Sequence, residues 1–348
     1  MKILIAGFGS IGRRHFRNLL ALGERDIVFY RRSPNGTRQN SLDDSEIASY
    51  PVETDLQAAL AHRPEAVIIA NPTALHLPVA IPAARAGCSL FLEKPVSHNL
   101  DGIQALEDAV KTGGGTVYVG YQYRFHPGLL KLRELLHSGA IGQPHSVQVS
   151  WGEYLPGWHP WEDYRQGYSA RADLGGGVVL TLSHPLDYLR WLFGEVRALW
   201  AFTGRQGSLD LDVEDSAEIG LRFQSGLLGH LHLDYHRRPP AHWLDVTGSQ
   251  GVLRWDNADG AVQAWVINDG SKDNREQEVQ EARYPAPPGF ERNHLFLAQM
   301  QHFLAVARRQ AEPVCSLADG LQALRLALAV HESQALAKRI QWDENHEN

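Results

Sequence analysis

The chain has 348 residues, a formal net charge of -7 at pH 7 and 43% hydrophobic residues. This length exceeds one typical core and predicts two domains. The composition is that of an ordinary globular protein, and the negative charge argues against a nucleic-acid or anionic-membrane partner. No apolar run approaches the ~20 residues of a membrane helix, and the first residues lead into a glycine turn rather than a secretory signal. The cysteines, Cys88 and Cys315, lack metal-type spacing and favour a reducing cytoplasm.

The first 120 residues alternate between strand and helix patterns. The predicted strands are continuous apolar or β-branched runs, as expected where helices cover both faces of a sheet. They span residues 3–6, 27–30, 66–70, 89–92 and 116–119, and the helices between them span residues 11–22, 56–61, 75–86 and 100–111. This rhythm predicts an N-terminal Rossmann domain of the α/β class, with a doubly wound parallel sheet.

The second half of the chain carries antiparallel signals instead. Residues 217–223 and 227–235 flank a short turn at 224–226, and residues 242–247 and 252–255 flank a second turn. Predicted helices at residues 293–309 and 317–338 follow these strands. We therefore expect a C-terminal α+β domain with a largely antiparallel sheet, a boundary near residues 120–127, and domains at 1–122 and 123–348.

A glycine-rich turn joins the first predicted strand to the first predicted helix. Gly7, Gly9 and Gly12 form a G-x-G-x-x-G pattern, which is weak alone but here has the required strand before it and helix after it. Gly7 permits the tight turn, Gly9 lets the backbone approach a pyrophosphate, and Gly12 allows close packing of helix on strand. Backbone amides at Ser10 and Ile11 then receive the phosphates of a dinucleotide.

The end of the second predicted strand indicates which dinucleotide binds. An NAD site usually has an Asp or Glu there, whereas this chain has Arg31 and Arg32. Two guanidinium groups favour the 2′-phosphate of NADP, with NAD possible. The alternative is that both arginines are solvated or stack on adenine with either cofactor.

Two further segments follow predicted strands at the same sheet edge. Asn71 and Pro72 are expected to line the nicotinamide side, while Thr73 caps the next helix, faces the crevice, or does both. His76 on that helix is assigned to the same cofactor site. Lys94 ends the run after residues 89–92 and, with Glu93, is assigned there too, because ligands bind at the carboxyl ends of parallel strands.

These motifs together resemble the Gfo/Idh/MocA family, named after glucose–fructose oxidoreductase, inositol dehydrogenase and a rhizopine catabolism protein. The matching runs are GFGSIG at 7–12, NPTALH at 71–76, LFLEKP at 90–95 and GGGVVLTLSHPLD at 175–187. The resemblance spans essentially the whole chain, and Glu93-Lys94-Pro95 is its most specific part. It implies NAD(P)-dependent chemistry on a sugar, inositol or related polyol. It also implies a cis Lys94–Pro95 bond, which proline tolerates, and an open-faced sheet often used for oligomerisation.

The last of these motifs supplies the proton-transfer candidates. Residues 178–193 predict one helix with a kink or local opening at Pro185, and Thr181, His184 and Asp187 recur on it every three residues. Hydride transfer from an alcohol carbon needs a proton acceptor and a cation near the developing alkoxide. We assign His184 to the first role and Lys94 to the second; the resemblance also implies that Lys94 can join a proton relay.

One position departs from the family pattern. Many members carry an aspartate on the turn before the histidine, where this chain has Thr181. Either Asp187 orients His184 instead, or a hydrogen bond replaces the acid. We include Asp187 among the catalytic candidates and Thr181 among the substrate-binding ones.

The remaining substrate candidates lie after the Rossmann half. Tyr121 and Arg124 should border the cleft, although an ion pair between domains is an equal expectation for Arg124. Trp158 and His159 belong to a segment rich in aromatic and polar side chains. That composition suits carbohydrate, and a packed loop or an oligomer contact is an equally good interpretation.

A run of alternating histidines does not indicate a metal site. Same-face side chains on a strand are about 7 Å apart and point in parallel, so they rarely converge on one ion. We therefore predict no metal at the four residues concerned, which are His230, His232, Asp234 and His236.

The sequence thus predicts a cytoplasmic, NADP-preferring dehydrogenase or reductase of a sugar, sugar derivative or inositol. A homodimer or homotetramer through the C-terminal sheet is expected. Two alternatives stay open: a hydrolase that uses a retained nicotinamide to cleave glycosidic bonds, and a non-catalytic NADP-sensing regulator.

Overall fold

The computed structural model describes residues 1–31, 45–267 and 279–342. The chain divides into two compact units. Of the described residues, the first unit contains those within 1–122, 166–176 and 292–324, and the second contains those within 123–165, 177–291 and 325–348.

The first unit contains a parallel sheet, which confirms the predicted Rossmann fold. Within the described residues its six strands are arranged in the order β3-β2-β1-β4-β5-β6. Strands β1, β4 and β5 are buried throughout, which explains their uninterrupted apolar sequences. The strands are β1 Ile3–Ala6, β2 Ile27–Tyr30, β3 Val52–Glu53, β4 Ala66–Ile69, β5 Ser89–Leu92 and β6 Val117–Val119. The two-residue β3 was not predicted, because its length carries no periodicity.

Helices of the first unit connect these strands. They are α1 Ser10–Ala21, α2 Leu56–Ala61, α3 His76–Arg85, α4 Ile103–Gly113 and, much later in the chain, α8 Arg292–Ala307. Helix α1 packs on α8, and the side chain of Asp55 caps α2 by accepting a hydrogen bond from the Ala58 amide at 2.8 Å. The late helix α8 therefore supports the cofactor half, although it follows the antiparallel strands in sequence.

The second unit contains a mixed, mostly antiparallel sheet, as predicted. Its strands in the described ranges lie in the order β14-β13-β12-β11-β7-β10-β9-β8-β15, and only the pairing of β7 with β10 is parallel. They are β7 Pro144–Gly152, β8 Val196–Gly204, β9 Ser216–Phe223, β10 Leu228–Asp234, β11 Ala241–Gly248, β12 Gly251–Asp256, β13 Val262–Ile267, β14 Val279–Tyr284 and β15 Ile340–Gln341. The sequence predicted the two central hairpins and missed strands β8, β13, β14 and β15.

Helices cover one face of this sheet. Helix α5, Pro127–His137, packs on β12 and β13, and the short helix α6, Val178–Thr181, packs on β9 and β10. Helix α7 spans His184–Phe193, and α9 spans Leu317–Leu336. Side chains that alternate with the buried ones point away from the covered face, and Phe202 there is 64% exposed. The opposite face is therefore the open one. No helix in the described ranges is both long and apolar enough to span a membrane.

His126 is a buried polar group in the core of the second unit. Its Nδ1 accepts a hydrogen bond from the Gly128 amide at 3.0 Å and so caps helix α5. The imidazole also lies against the rings of Trp255 and Phe290. Burial lowers the pKa of His126 to about 4. The folded state therefore holds this ring neutral.

We expect His126 to make the second unit acid-sensitive. Unfolding restores its ordinary pKa of about 6.5, so the unfolded chain binds the extra proton between about pH 6.5 and 4. The contribution of the neutral ring is complete above this window and declines as the pH falls through it, reaching a loss of about 2 kcal/mol near pH 5. Urea unfolding of wild type and His126→Asn above neutrality and near pH 5 measures this, since asparagine keeps a capping acceptor without a titrating ring. The exposed His145→Asn variant is the control; an acid-induced loss in His126→Asn equal to that of wild type would contradict the expectation.

Candidate active site

The turn between β1 and α1 forms an open backbone cradle. Gly7 has φ +96°, and a Cβ there would lie 2.7 Å from the Asn71 amide nitrogen. A Cβ on Gly9 would meet no atom within 4 Å, whereas one on Gly12 would lie 2.2 Å from the Gly7 carbonyl oxygen. Gly9 is thus open to a ligand, while Gly12 is required for helix–strand packing.

This cradle fits the pyrophosphate of a dinucleotide. Gly9 and Ser10 are exposed, Ile11 is half-buried, and the first turn of α1 contains no acidic residue. The free amides and the positive end of the helix dipole therefore face an accessible surface.

The segment after β2 carries the residue expected to select the cofactor. Arg31 is half-buried, and its backbone amide donates to the Glu53 carbonyl oxygen at 2.9 Å. That bond extends the pairing of β2 with β3 and fixes the strand end beside the cradle. Arg32 lies outside the described residues.

The segment after β4 is held by His76, which begins α3. The two ring nitrogens, Nε2 and Nδ1, each lie 3.0 Å from a carbonyl oxygen, that of Asn71 and that of Pro95 respectively. Burial lowers the pKa of His76. The Asn71 side chain donates to the Leu75 carbonyl oxygen, so it fixes its own turn. One buried ring thus links the end of β4 to the end of β5.

Thr73 does not cap helix α3. It is buried as the first residue of the short 3₁₀ helix Thr73–Leu75, and α3 begins only at His76 with Leu75 at its N-cap position. The expected capping role is therefore wrong, because a 3₁₀ turn separates Thr73 from the α-helix. Pro72, half-buried, precedes that turn.

Lys94 follows β5 and is itself half-buried. The Lys94–Pro95 bond is cis, as the resemblance implied. The adjacent Glu93 carboxylate lies 2.6 Å from Nε2 of the fully buried His15 on α1, and its other oxygen accepts from the Lys94 amide at 3.2 Å. The lysine backbone is thus anchored, through Glu93 and His15, to helix α1.

Residues 178–193 form two helices rather than the single helix predicted, which was expected to kink or open locally at Pro185. Helix α6 ends at Thr181 and α7 begins at His184, so the break precedes Pro185. Proline in the first turn of α7 has no amide to lose there, whereas inside one helix it would leave the Thr181 carbonyl without its partner. His184 and Asp187 therefore share a face of α7, but Thr181 belongs to another helix.

Asp187 forms a bidentate ion pair with Arg124 inside the second unit. Arg124 Nε and Nη2 donate to the two carboxylate oxygens at 3.0 and 2.7 Å, and both side chains are almost fully buried. A buried pair with this fork geometry is a strong positional constraint. Arg124 was expected either to bind substrate or to form an ion pair between domains. The structure contains an ion pair, but both of its members belong to the second unit.

His184 and Thr181 are both buried in the second unit. The His184 ring contacts the edge or face of two aromatic rings, Tyr123 at 5.0 Å and Trp151 at 5.6 Å between centroids. Tyr121, which was expected to bind substrate, belongs to the first unit and is buried.

The aromatic segment before the glycine run is partly packed. Trp158 is half-buried and packs against Tyr235, with 5.6 Å between ring centroids. The His159 ring centroid lies 5.4 Å from that of Trp161, which is 64% exposed. The segment thus has both a packed and an accessible part.

The alternating histidines of β10 bind neighbouring carboxylates. His230 and His232 each lie within 2.9 Å of a Glu218 oxygen, and His232 also contacts Asp234 at 2.8 Å. The hydrogen bond to Asp234 raises the pKa of His232. His236 pairs with Asp215 at 3.0 Å. Across residues 1–31, 45–267 and 279–342, no three histidine, cysteine or acidic side chains are arranged to hold a metal ion.

Two supporting residues, His15 and Glu214, were not predicted from the sequence. The His15 ring binds Glu93 and so fixes the segment that carries Lys94, whereas His76, which fixes the segment that carries Asn71, was already assigned to the cofactor site. The Glu214 carboxylate accepts from the Val179 amide at 3.1 Å and so holds the start of α6. Glu214 could not have been predicted, because it lies 35 residues from Val179 in the sequence. His15 lies three residues after Gly12 on α1, so its position on the buried face of that helix could have been read from the sequence.

The cradle, the lysine at the carboxyl edge of a parallel sheet and the separate antiparallel unit define a dinucleotide-binding oxidoreductase. Family comparison agrees. Residues 1–121 match the oxidoreductase family model with an NAD-binding Rossmann fold, and residues 129–254 match the GFO/IDH/MocA C-terminal domain. The chain belongs to the GFO/IDH/MocA family, which confirms the resemblance and the prediction of an oxidoreductase.

Individual relatives cover the whole chain. The myo-inositol 2-dehydrogenase of Thermotoga maritima is 27% identical over 360 aligned residues, covering 99% of each chain. A levoglucosan dehydrogenase solved with NADH and L-sorbose superposes with a TM-score of 0.81 at 19% identity, covering 99% of each chain. The WlbA dehydrogenase of Bordetella pertussis, solved with NADH and UDP-GlcNAcA, superposes with a TM-score of 0.79 at 21% identity, covering 99% of each chain. At these identities the solved structures show a shared fold.

Proposed function

We propose that this chain is an NADP-preferring dehydrogenase or reductase that acts on a hydroxyl or carbonyl carbon of a sugar, sugar derivative or inositol. The observation that carries the proposal is the position of Lys94, which is anchored through Glu93 to helix α1 and follows β5 at the carboxyl edge of a Rossmann sheet. The names of the relatives support the substrate class, since they include an inositol dehydrogenase and a levoglucosan dehydrogenase.

The proposed chemistry divides between two side chains. NADP or NAD, when bound, supplies or accepts the hydride. The Lys94 ammonium polarises the reacting oxygen and stabilises negative charge that develops on it. The His184 imidazole accepts the hydroxyl proton during oxidation and returns it during reduction. Asp187 acts on His184 through α7, because its carboxylate fixes that helix to Arg124.

The other assigned residues divide between cofactor and substrate. We propose that the cradle and the segment containing Asn71, Pro72 and Thr73 bind the dinucleotide, with His76 and Glu93 fixing that site. Thr181, Tyr121 and Arg124 shape the substrate side. The accessible part of the segment containing Trp158 and His159 offers flat rings beside polar groups, which suits sugar rings.

A substrate screen tests the reaction class. Purified protein is mixed with NADP or NAD and a panel of polyols, free sugars, sugar acids and nucleotide sugars, and net nicotinamide reduction is followed by absorbance. An oxidoreductase converts cofactor stoichiometrically with one substrate class. A hydrolase of the alternative type cleaves glycosides without net reduction and retains its nicotinamide through purification, and a regulator binds NADP but turns over nothing.

Loss of the Lys94 ammonium should strongly lower turnover. We expect Lys94→Ala to lower kcat by on the order of a hundredfold or more, because no other cation is proposed to stabilise the alkoxide. Steady-state kinetics on the substrate found in the screen measure this. Lys111→Ala, at an exposed position of α4, is the matched control. Near-normal turnover by folded Lys94→Ala would show that the central assignment is wrong.

The arginine pair should set the cofactor preference. Charge-assisted hydrogen bonds to a 2′-phosphate are worth about 1.5–3 kcal/mol each, so Arg31→Ala and Arg32→Ala should each lower the NADP-to-NAD ratio of kcat/KM by about tenfold or more. The exposed Arg25→Ala variant is the control. Two solved relatives contain NADH, so the preference of this chain needs a direct test. An NADP-to-NAD ratio that both substitutions leave unchanged would show that the cofactor argument from these arginines is wrong.

We also propose a cytoplasmic homodimer or homotetramer formed through the open sheet face. Two buried, unlinked cysteines support the compartment. Phe202 and Trp200 on β8 support the interface, because both rings are exposed side by side at 6.2 Å between centroids.

A charge on that face should dissociate the assembly. Light scattering of the wild type should give a multiple of 38.8 kDa, and Phe202→Glu should lower it. Leu130→Glu, at an exposed apolar position on α5, should leave the mass unchanged. If the wild type is monomeric, or Phe202→Glu assembles as well as wild type, the interface lies elsewhere or does not exist.

A further inference from the structure

Two aromatic rings bound the imidazole of His184. Tyr123 meets it nearly perpendicular, at 65° and 5.0 Å between centroids, and Trp151 is tilted by 31° at 5.6 Å. All three side chains are at most 4% exposed. In so close-packed an environment, the orientation of the imidazole follows the positions of these two rings.

Both rings are held by one further residue, His242. Its ring stacks on Trp151 at 4.2 Å with a 4° angle, and its Nδ1 lies 3.3 Å from the Tyr123 hydroxyl. The stack follows from sheet register, because His242 on β11 lies directly opposite Trp151 on β7. A second hydrogen bond joins His242 Nε2 to the Tyr188 hydroxyl at 3.0 Å.

Tyr188, the second hydrogen-bond partner of His242, lies on α7, the same helix that carries His184. Residues 184 and 188 are four apart on α7 and so lie one turn apart on the same face. Asp187 beside Tyr188 binds Arg124 beside Tyr123. Two neighbouring links therefore fix α7 against the segment that contains the Tyr123 ring, one ionic and one through His242.

The link through His242 is complete without charge. A neutral imidazole donates a hydrogen bond from one ring nitrogen and accepts one at the other. The His242 ring can therefore donate to one of the two tyrosine hydroxyls and accept from the other. Burial raises the pKa of Tyr188 well above its ordinary value, so its hydroxyl keeps its proton. Such a buried polar chain is conformationally specific, because any other packing of these rings leaves a polar atom unsatisfied.

We propose that His242 is a positioning residue for His184, acting through Tyr188 and Tyr123 to fix the direction in which the His184 imidazole presents its nitrogens. This inference rests on the proposed role of His184 as proton acceptor. A general base must lie within hydrogen-bond reach of the proton it takes, so a small rotation of the ring lowers the rate without changing substrate binding.

Three variants test this chain. Tyr188→Phe removes one oxygen and keeps the ring, His242→Leu removes both hydrogen bonds, and His242→Gln restores one donor and one acceptor. We expect kcat to fall by roughly tenfold in Tyr188→Phe and further in His242→Leu, with KM within about twofold of wild type and partial recovery in His242→Gln.

A direct readout accompanies the kinetics. In ¹⁵N-histidine-labelled protein, the imidazole signals of His184 are identified by their loss in His184→Asn. These signals should shift in Tyr188→Phe and in His242→Leu, and return toward the wild-type position in His242→Gln. Tyr118→Phe, a buried tyrosine of the first unit, is the control and should leave kcat and the His184 signals unchanged.

The outcomes separate the two proposals. Folded Tyr188→Phe and His242→Leu with wild-type kcat and unmoved His184 signals overturn the positioning role of His242. If His242→Leu does not fold, Tyr188→Phe decides alone. Full turnover by His184→Asn instead refutes the proposed catalytic role of His184, and in that case the His184 signals still decide whether His242 positions its ring.

Discussion

The register of three parallel strands is the constraint on which the cofactor half depends. Ala6, Ile69 and Leu92 are partners across β1, β4 and β5, so all three strands end at the same level of the sheet. The residues that follow, including Gly7 and Lys94, are consequently delivered to one edge. No side-chain interaction has to bring them there; the backbone ladder does so, and the local turns then set their directions.

Buried histidines convert that common edge into fixed geometry. His15 binds the Glu93 carboxylate, and His76 joins the turns that follow β4 and β5. Because each ring is enclosed, its partners are held at short distances without competition from water. Lys94, the proposed catalytic lysine, is thus positioned by the contacts of its neighbours and of its own backbone amide, and the residue is half-buried.

The sequence predicted most of the first unit and only part of the second, for physical reasons. Parallel strands buried on both faces read as unbroken apolar runs, and the glycine turn has steric requirements that the structure reproduces at Gly7 and Gly12. Strand β8 was missed because its alternation is disturbed by a bulge near Ala198 and by exposed aromatic residues. The sequence predicted α6 and α7 as one helix, because the apolar periodicity continues across the break between them. That break is compatible with Pro185 because the proline lies in the first turn of α7.

The candidate site was predictable only where its residues form local motifs, as Lys94 and the glycines do. Glu214 and His242 contact residues far away in the sequence, which no local pattern encodes.

The second unit solves a different problem from the first, because its proposed proton acceptor lies on a helix rather than at a strand end. A helix can rotate about its axis and slide along its groove, so α7 needs constraints beyond the burial of its apolar face. Arg124 with Asp187 supplies a charged constraint with fixed direction, and Tyr188 with His242 supplies a neutral one. Thr181, the position at which the family resemblance implied an acid, lies on the separate helix α6 that Glu214 holds at its start. Arg124 is already paired with Asp187, and Thr181 is itself buried, so a carboxylate at position 181 would have to be desolvated without that partner. Threonine avoids this cost while keeping a hydroxyl at the same position.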